Sequence, residues 1–587
     1  MLTVVALTVG VFGFVHFQSK YLLPEIVEKK VPYEITIEKG ALLDIEIFNR
    51  FMLLDEQSEI EKPRVKKFQG SLVEVTKTSH YSGSVWKNNC DQKCVAIPVP
   101  LKNIPTQLWQ SLIGIEDYRF LDHQGVDPFA LLRATIVNLM KGRFAQGGST
   151  LTQQLVKNLF LTREKTISRK VKEAFISVYI DSFYSKEEII EAYLNRVYWG
   201  SVNGLEIRGA YLASIYYFGK KLDELDLTSS LILVSMLKGP GYYSPLRHLD
   251  RLKGRVNAIF RKLQEIGYVL EDEALWSDFE WEEWLQYLNG NQGRNIVGFL
   301  QNVSSSDTGN IFDQFIIQTK ASEVLQKIYK RTKHDKELSF TGIIKLSNGE
   351  QLISQKGLGD RNERHQIGSI LKPIFYSKIF EEFDPADEIE TAVKEFEIKS
   401  GTWAPKNSGR DIPEVVTLEY ALQNSLNVPL VRAVENYGFD ELEKEVSGMI
   451  PRFKKPLREF PAQLLGSIEL SVNEVFEIYE EFFHHVCKTD GGKKVINILS
   501  TPLKTTIKGR VRNLGNARFF GKTGTSNRSL DNWFIFYDGQ ELGVFWLGHR
   551  GKKDIPSLRT SGAGSSFEIL KGYLLARGKR IGELTCP

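Results

Sequence analysis

Three short motifs, far apart but in fixed order, constrain this chain's fold most: Ser369-Ile-Leu-Lys372, Ser425-Leu-Asn427 and Lys522-Thr523-Gly524. A serine hydroxyl is a weak nucleophile, so acyl transfer from it needs a base held alongside. A lysine three residues further along a helix lies one turn away on the same side. Its amine takes the proton once burial or a cationic neighbour depresses its pKa. Ser-x-x-Lys alone is a weak signal, because Ser84-Val-Trp-Lys87 and Ser235-Met-Leu-Lys238 match it too. Each of those reads most simply as a coincidence of surface or packing. Ser369 stands out by its ordered company, since this chemistry adds a Ser-x-Asn loop and a Lys-Thr/Ser-Gly strand downstream. Lys399-Ser-Gly401 falls in the wrong order, and Ser471-Val-Asn473 is a second candidate for the loop.

One such site does not use the whole length. With 587 residues, 42% of them hydrophobic, the chain can bury cores for about three or four domains. Its 76 basic and 72 acidic residues nearly cancel, which leaves no polybasic block for nucleic acid. Met1 to Ser19 carries no charge and is mostly apolar. That is close to the roughly 17-residue lower limit for crossing a bilayer. No basic leader or small-x-small cleavage site precedes Lys20, so residues 1–19 read as an uncleaved transmembrane anchor rather than a signal peptide. Four cysteines, Cys90, Cys94, Cys487 and Cys586, allow three pairings in an oxidising compartment. Cys90 and Cys94 are placed to close a small loop. A zinc site there lacks a second pair of ligands at the right spacing.

Residues 31–100 alternate short apolar runs with charged turns and suggest a small, partly β module. Over 101–250 the apolar spacing turns to three and four, and this block is mostly α. Residues 251–334 read as a linker region in which 253–300 form a helical stretch, and its acidic, Trp-rich run, Trp276 to Trp284, is expected to be an amphipathic packing helix or else a partner surface. Ser304 to Asn310 has no apolar periodicity. Residues 335–577 read as α+β with an antiparallel sheet, including a hairpin of Asp531–Tyr537 with Leu542–Leu547.

The serine region resembles the transpeptidase domain of penicillin-binding proteins. The likeness is carried by Gly368-Ser-Ile-Leu-Lys-Pro373, Trp403-Ala-Pro-Lys-Asn407, Ala421 to Arg432 and Phe520-Gly-Lys-Thr-Gly-Thr-Ser526. Ile367 stands where that family usually has proline. The resemblance implies Ser369 as nucleophile, Lys372 as its base and Ser425 as proton shuttle to the leaving amine. It implies Asn427 as holder of the acyl side chain, and Lys522, Thr523, Gly524 and Thr525 as the strand that binds a D-Ala-D-Ala carboxylate. β-Lactams mimic that substrate. The oxyanion hole would be formed by the Ser369 and Thr525 amides.

Upstream, Glu116-Asp117 to Gly125 is a cluster of acids and a histidine that by itself reads as a solvated helix end. Gly147-Gly-Ser-Thr150 then opens a helix with Gln154, Lys157 and Asn158 on one face, and Arg169 and Glu173 share another. Two carboxylates with cations near a glycine-led helix start suit a reaction with an anionic leaving group. In order and spacing these segments, continuing to Lys238-Gly-Pro-Gly-Tyr-Tyr-Ser-Pro245, resemble the glycosyltransferase domain of class A penicillin-binding proteins. Glu206 to Gly219 looks most like the 1B subgroup.

The implied fold is a multidomain α+β protein. It comprises an N-terminal transmembrane helix, a mostly α, lysozyme-like glycosyltransferase domain and an α+β, β-lactamase-like transpeptidase domain. The implied function is a peptidoglycan synthase that polymerises lipid II and cross-links the stem peptides. Glu116 would be the base, with Glu173, Lys157 and Arg169 acting around the donor pyrophosphate. Asp117, Phe120, His123, Thr150, Gln154 and Asn158 would shape the groove. No tightly bound cofactor is expected, with magnesium or manganese an open option for the glycosyltransferase step. The implied setting is the bacterial inner membrane with periplasmic catalytic domains. Residues 31–100 occupy the place where an outer-membrane lipoprotein activator docks in the subgroup. The apolar stretch Phe129 to Phe144 would lie on the bilayer or else be ordinary core. The rival readings are a carboxypeptidase- or β-lactamase-type hydrolase, and a non-catalytic β-lactam-binding scaffold.

Overall fold

Caps set the helix starts that matter for the upstream chemistry. Asp127 accepts from the Phe129 amide and is followed by proline, opening α2 (Pro128–Lys141) after α1 (Thr106–Glu116). Thr150 and Gln153 form a reciprocal capping box on α3 (Leu151–Phe160). Thr166 caps α4 (Ile167–Phe183), and Ser185 with Glu188 boxes α5 (Lys186–Arg196). Such caps satisfy amides that have no partner within the helix.

The structure is a computed structural model. It describes residues 30–586 except 56–60, 87–89, 91–93, 143–146, 162–165, 203, 270–272, 291, 303–309, 333–337, 357–359, 399–400, 410, 451–452, 454, 515–516, 550–556 and 585. The expected anchor at 1–19 and most of the Ser304–Asn310 stretch lie outside the described residues. Among those described, no helix is long and apolar enough to cross a membrane. The chain divides into two compact units, one of residues 1–33, 49–60 and 83–308, the other of 34–48, 61–82 and 309–587. The 31–100 stretch thus contributes to both units.

The first unit is built around α6 (Ala210–Phe218) and α7 (Leu227–Leu237), which are buried almost all round, as central helices of a helical layer are. Helix α7 packs on α1 and on α8 (Leu249–Glu265), and α3 packs on α4 and α5. A small sheet pairs Leu205–Arg208 with Cys94–Ala96 in parallel and with Tyr198–Val202 antiparallel. The Trp-rich run forms α9 (Asp278–Asn289). Trp281 and Trp284 are buried, and Trp284 stacks on Phe218 with ring centroids 5.5 Å apart. It is a packing helix and not a free partner surface. Helices α8, α9 and α10 (Gln292–Asn302) agree with the helical reading of 253–300, and α11 (Ile311–Thr332) continues helix through the rest of the region read as a linker.

The second unit carries a five-stranded antiparallel sheet. Its strands are β1 (Leu338–Lys345), β2 (Gln351–Lys356), β3 (Phe520–Thr525), β4 (Asp531–Tyr537) and β5 (Leu542–His549), in the order β2-β1-β5-β4-β3. The expected hairpin is β4–β5. Central β5 is buried from Leu542 to Gly548, the continuous apolar pattern of a strand covered on both faces. Helices α12 (Lys372–Glu382), α13 (Val428–Tyr437), α14 (Val472–His485) and α15 (Asp490–Leu499) share its core. Helices α11 and α16 (Ser566–Ala576) also pack on the sheet. Cys487 bonds to Cys586 and Cys90 to Cys94. Edge strand β3 abuts the turn that holds Ser369.

Two candidate active sites

Ser369 sits in a tight turn, Gly368–Leu371, that leads directly into α12. Gly368 has φ +58, and a Cβ there would come within 2.7 Å of the Thr525 backbone nitrogen and oxygen. Gly524 faces the same constraint from the strand side, since a Cβ on it would lie 2.5 Å from the Ile367 carbonyl. Two glycines thus let the nucleophile turn lie against β3. The carbonyl of Ile370 accepts from the buried Tyr479 hydroxyl, and that of Gln366 accepts from Trp533 Nε1 at 2.9 Å.

The three motifs converge on two buried lysines. Lys372 Nζ donates to the Ser425 carbonyl (2.8 Å), the Leu426 carbonyl (2.8 Å) and Asn427 Oδ1 (2.7 Å). Lys522 Nζ donates to Ser425 Oγ (2.9 Å) and the Thr523 carbonyl (2.8 Å). Burial, and then the Lys522 charge, hold the Lys372 amine well below the usual lysine range. Burial brings Lys522 down to about 7. The three acceptors on Lys372 favour its ammonium, but removing two like charges from water outweighs them. Ser425 adopts φ +55, a strained conformation for a residue with a Cβ. It presents its carbonyl to one lysine and its hydroxyl to the other.

These groups open on a cleft of about 730 Å³ lined by Ser369, Ser425, Asn427, Thr523 and Thr525. Asn407, within the Trp403–Asn407 motif, was not foreseen as a site residue. Its Oδ1 accepts from the Asn427 and Val428 amides at 2.9 and 2.8 Å and fixes the Ser-x-Asn loop. Thr506 is hydrogen-bonded to Thr523 (2.9 Å), and nothing in its sequence surroundings pointed to it. Beside the strand, burial pushes Asp531 up to about 6, although it accepts from Ser526 and Trp546. The decoys resolve in the structure. Ser471 is the capping residue of α14, and Ser235 lies inside buried α7.

In the first unit, Glu116 ends α1 and meets Gln154 Nε2 (3.5 Å) and Arg255 Nη2 (3.4 Å). Asp117 takes a different part. Its carboxylate accepts from the Leu151 amide (2.8 Å) at the start of α3 and contacts His123 Nε2 at 3.1 Å. His123 and Phe120 are buried, and Lys186 lies over the Phe120 ring and donates to the His123 carbonyl. Thr150 Oγ1 donates to the Gly125 carbonyl (2.6 Å). Asp117, Phe120, His123 and Thr150 are therefore buried, and Asp117 and Thr150 fix the start of α3. A cleft of about 830 Å³ is lined by Gln154, Lys157, Asn158, Arg169 and Glu173. Glu173 is buried, one oxygen 2.6 Å from Arg169 Nη1 and the other paired with Lys170.

Sequence reasoning missed Lys170, Arg208 and Arg255. Lys170 also donates to Ser149 (2.7 Å), and with Arg208 it lines the cleft. Its i,i+3 spacing to Glu173 was a usable signal. Arg255 comes from α8, far along the chain, and carried none. Arg169 and Lys170 on Glu173, with Lys157 and the Glu206-paired Arg208 lining the same cleft, give it a cationic wall able to hold an anion.

Comparison with known proteins shows the family. The Transglycosylase family matches residues 85–264. Penicillin-binding protein 1B of Vibrio cholerae is 30% identical over 541 residues, covering 81% of this chain and 68% of that protein. The protein of the same name from Buchnera aphidicola is 30% identical over 538 residues, covering 81% and 70%. Among solved structures, penicillin-binding protein 1A from Haemophilus influenzae aligns over 84% of this chain and 91% of that one, at 13% identity and a TM-score of 0.40. The chain belongs to the class A penicillin-binding proteins, in the penicillin-binding protein 1B subgroup. It is a bifunctional peptidoglycan synthase, a glycosyltransferase on lipid II and a D-Ala-D-Ala transpeptidase that binds β-lactams.

Proposed function

We propose that the two activities divide between the two units, with Ser369 and Glu116 as their respective reacting groups. The convergence of Lys372, Ser425 and Lys522 through direct hydrogen bonds carries this reading. Lys372, depressed by burial, takes the Ser369 proton as Oγ attacks the penultimate D-Ala carbonyl. Ser425, whose oxygen accepts from Lys522, passes a proton to the departing amine. Asn427 holds the acyl chain, while Lys522, Thr523 and Thr525 receive the terminal carboxylate. In the other unit Glu116 removes the acceptor hydroxyl proton, with Arg255 orienting it. Lys157, Arg169 and Lys170 around Glu173 bind the pyrophosphate that leaves. Both oxygens of Glu173 are taken by Arg169 and Lys170, so this carboxylate does not fit a divalent ion.

Residues 1–19 would anchor the chain in the inner membrane with both units periplasmic. Support comes from α2, where Ala134 alone is buried while Leu139 and Met140 are 77% and 82% exposed. Over Pro128–Lys141 this exposure speaks against ordinary core, and a bilayer surface is a fitting cover for such a helix. Residues 31–100 are our candidate for receiving an outer-membrane lipoprotein activator.

The test is a pair of variants assayed on lipid II and labelled penicillin. Ser369→Ala should abolish acylation and cross-linking and keep polymerisation, and Glu116→Gln should do the reverse. Either variant retaining both activities overturns the assignment. Rapid release of hydrolysed penicillin would instead favour the hydrolase alternative.

A further inference from the structure

A second groove in the transpeptidase unit, about 540 Å³ in volume, runs between α11 and α16 and reaches Ser561. Ser561 also lines the cleft of Ser369. The two cavities thus share a wall, and that wall is tied to the substrate strand, because the Gly562 amide donates to Thr525 Oγ1 at 3.1 Å. The groove is strongly cationic. Lys320, Lys327, Arg331, Arg510, Arg559 and Lys571 line it against only Glu323 and Glu568. The two acids are already engaged, Glu568 with Arg510 at 2.9 Å and Glu323 with Lys320 at 3.5 Å. Lys327, Arg331 and Arg559 are exposed and have no acidic partner among the described residues. Gly572 lets the Lys320 stem lie close against α16, since a Cβ there would lie 2.9 Å from that side chain.

Unpaired cations gathered in a concavity select a ligand with several carboxylates or phosphates. The substrate already assigned to this protein has that chemistry, because stem peptides of peptidoglycan carry free carboxylates as well as an amine. We infer that this groove holds the carboxylate-bearing stem peptide of the acceptor strand and leads its amine past Ser561 to the acyl-enzyme. The inference rests on reading Ser369 as the nucleophile. In the step it serves, the acceptor nitrogen bonds to the ester carbonyl carbon. The bond from that carbon to Ser369 Oγ breaks, and the proton lost by the amine returns to Oγ. Guanidinium groups at fixed positions along the groove would set how far the amine reaches, as well as how tightly the strand binds.

The experiment uses the full chain with Ser369 acylated by benzylpenicillin, so that the donor position is filled. Binding of a soluble, carboxylate-bearing stem peptide is compared with that of the same peptide with its carboxylates amidated. The free-acid peptide should bind more tightly and lose affinity with rising salt. Charge reversal at Lys327 and Arg559 together should weaken it about tenfold, the loss expected for two screened charge pairs. The milder Lys327→Ala and Arg559→Ala pair should fall between the two. Labelled-penicillin acylation should stay at the level of the unaltered protein, which serves as the folding control. Equal binding of the two peptides, or no response to either pair of variants, overturns the proposal. So does preferential capture of anionic lipid vesicles by the groove. Failure of penicillin to label Ser369 at all would overturn the nucleophile reading and is seen separately, before any peptide is added.

Discussion

The two clefts handle charge in opposite ways. Around Glu173 the charges are neutralised by contact, with a buried carboxylate held between Arg169 and Lys170. Around Ser369 they are controlled by burial, with Lys372 and Lys522 enclosed and no carboxylate among their hydrogen-bond partners. The difference suits the two reactions. A pyrophosphate leaving group needs permanent positive charge, which ion pairs hold in place. A serine nucleophile needs an amine able to lose its proton near neutrality, and desolvation produces one.

Removing the buried amine attacks this comparison at its strongest point. Lys372→Ala should slow β-lactam acylation by about 10³-fold, within the range for losing a positioned base. Measured polymerisation of lipid II should not change. If acylation fell only a few-fold, burial of Lys372 would serve packing rather than chemistry.

Lys522 tests the same idea through pH. Its folded pKa is about 7 against an ordinary 10.5. Between those values the unfolded chain binds more protons, so stability should rise with pH across that window and be flat in this respect below it. Lys522→Met should flatten the slope of the unfolding midpoint. Function should run the other way. Capture of a carboxylate by the ammonium weakens as pH climbs through about 7, and in the variant acylation should fall by about 10²-fold at neutral pH, the scale of one lost charge-assisted contact in a dry site.

Contact neutralisation makes its own prediction. Glu173→Gln leaves Arg169 and Lys170 facing each other without their shared anion. Polymerisation should drop by about 10²-fold, and unfolding of the first unit should become easier by about 2 kcal/mol, a partly buried charged hydrogen-bond loss. Penicillin labelling of Ser369 should be untouched, because it reports the other unit.

How much of this was legible follows from how each group is held. The serine site could be read because its parts lie in short motifs whose spacing is dictated by one helical turn and one strand. The glycosyltransferase site could be read in outline for the same reason. Asp117, His123 and Phe120 were expected to shape a groove, and the structure buries all three, with Asp117 bonded to both His123 and the first amide of α3. That arrangement depends on side-chain direction, which spacing does not encode. Arg255 and Asn407 were hidden because they act through the fold. One comes from a late helix and the other binds backbone amides. Helix over 253–300 was legible from apolar spacing, with Trp281 and Trp284 on the buried side of α9. The division of 31–100 between two units had no sequence signal at all.

The smallest effect tests where the first cleft opens. Leu139 and Met140 end the apolar side of α2, and neither contributes to a core in the unit. Replacing both with asparagine should therefore leave the unfolding midpoint nearly unchanged, since no buried contact is removed. On vesicles the same pair should lower partitioning by about thirtyfold, because each side chain withdrawn from the interface forfeits roughly a kcal/mol of apolar burial. Polymerisation of lipid II presented in vesicles should decline in step, while turnover in detergent should hold, since the charged cleft around Glu173 is not altered. Loss of activity in both settings, or a large fall in the midpoint, would mean that α2 supports the cleft directly. The contrast between the units would then lie in their packing as well as in how they hold charge.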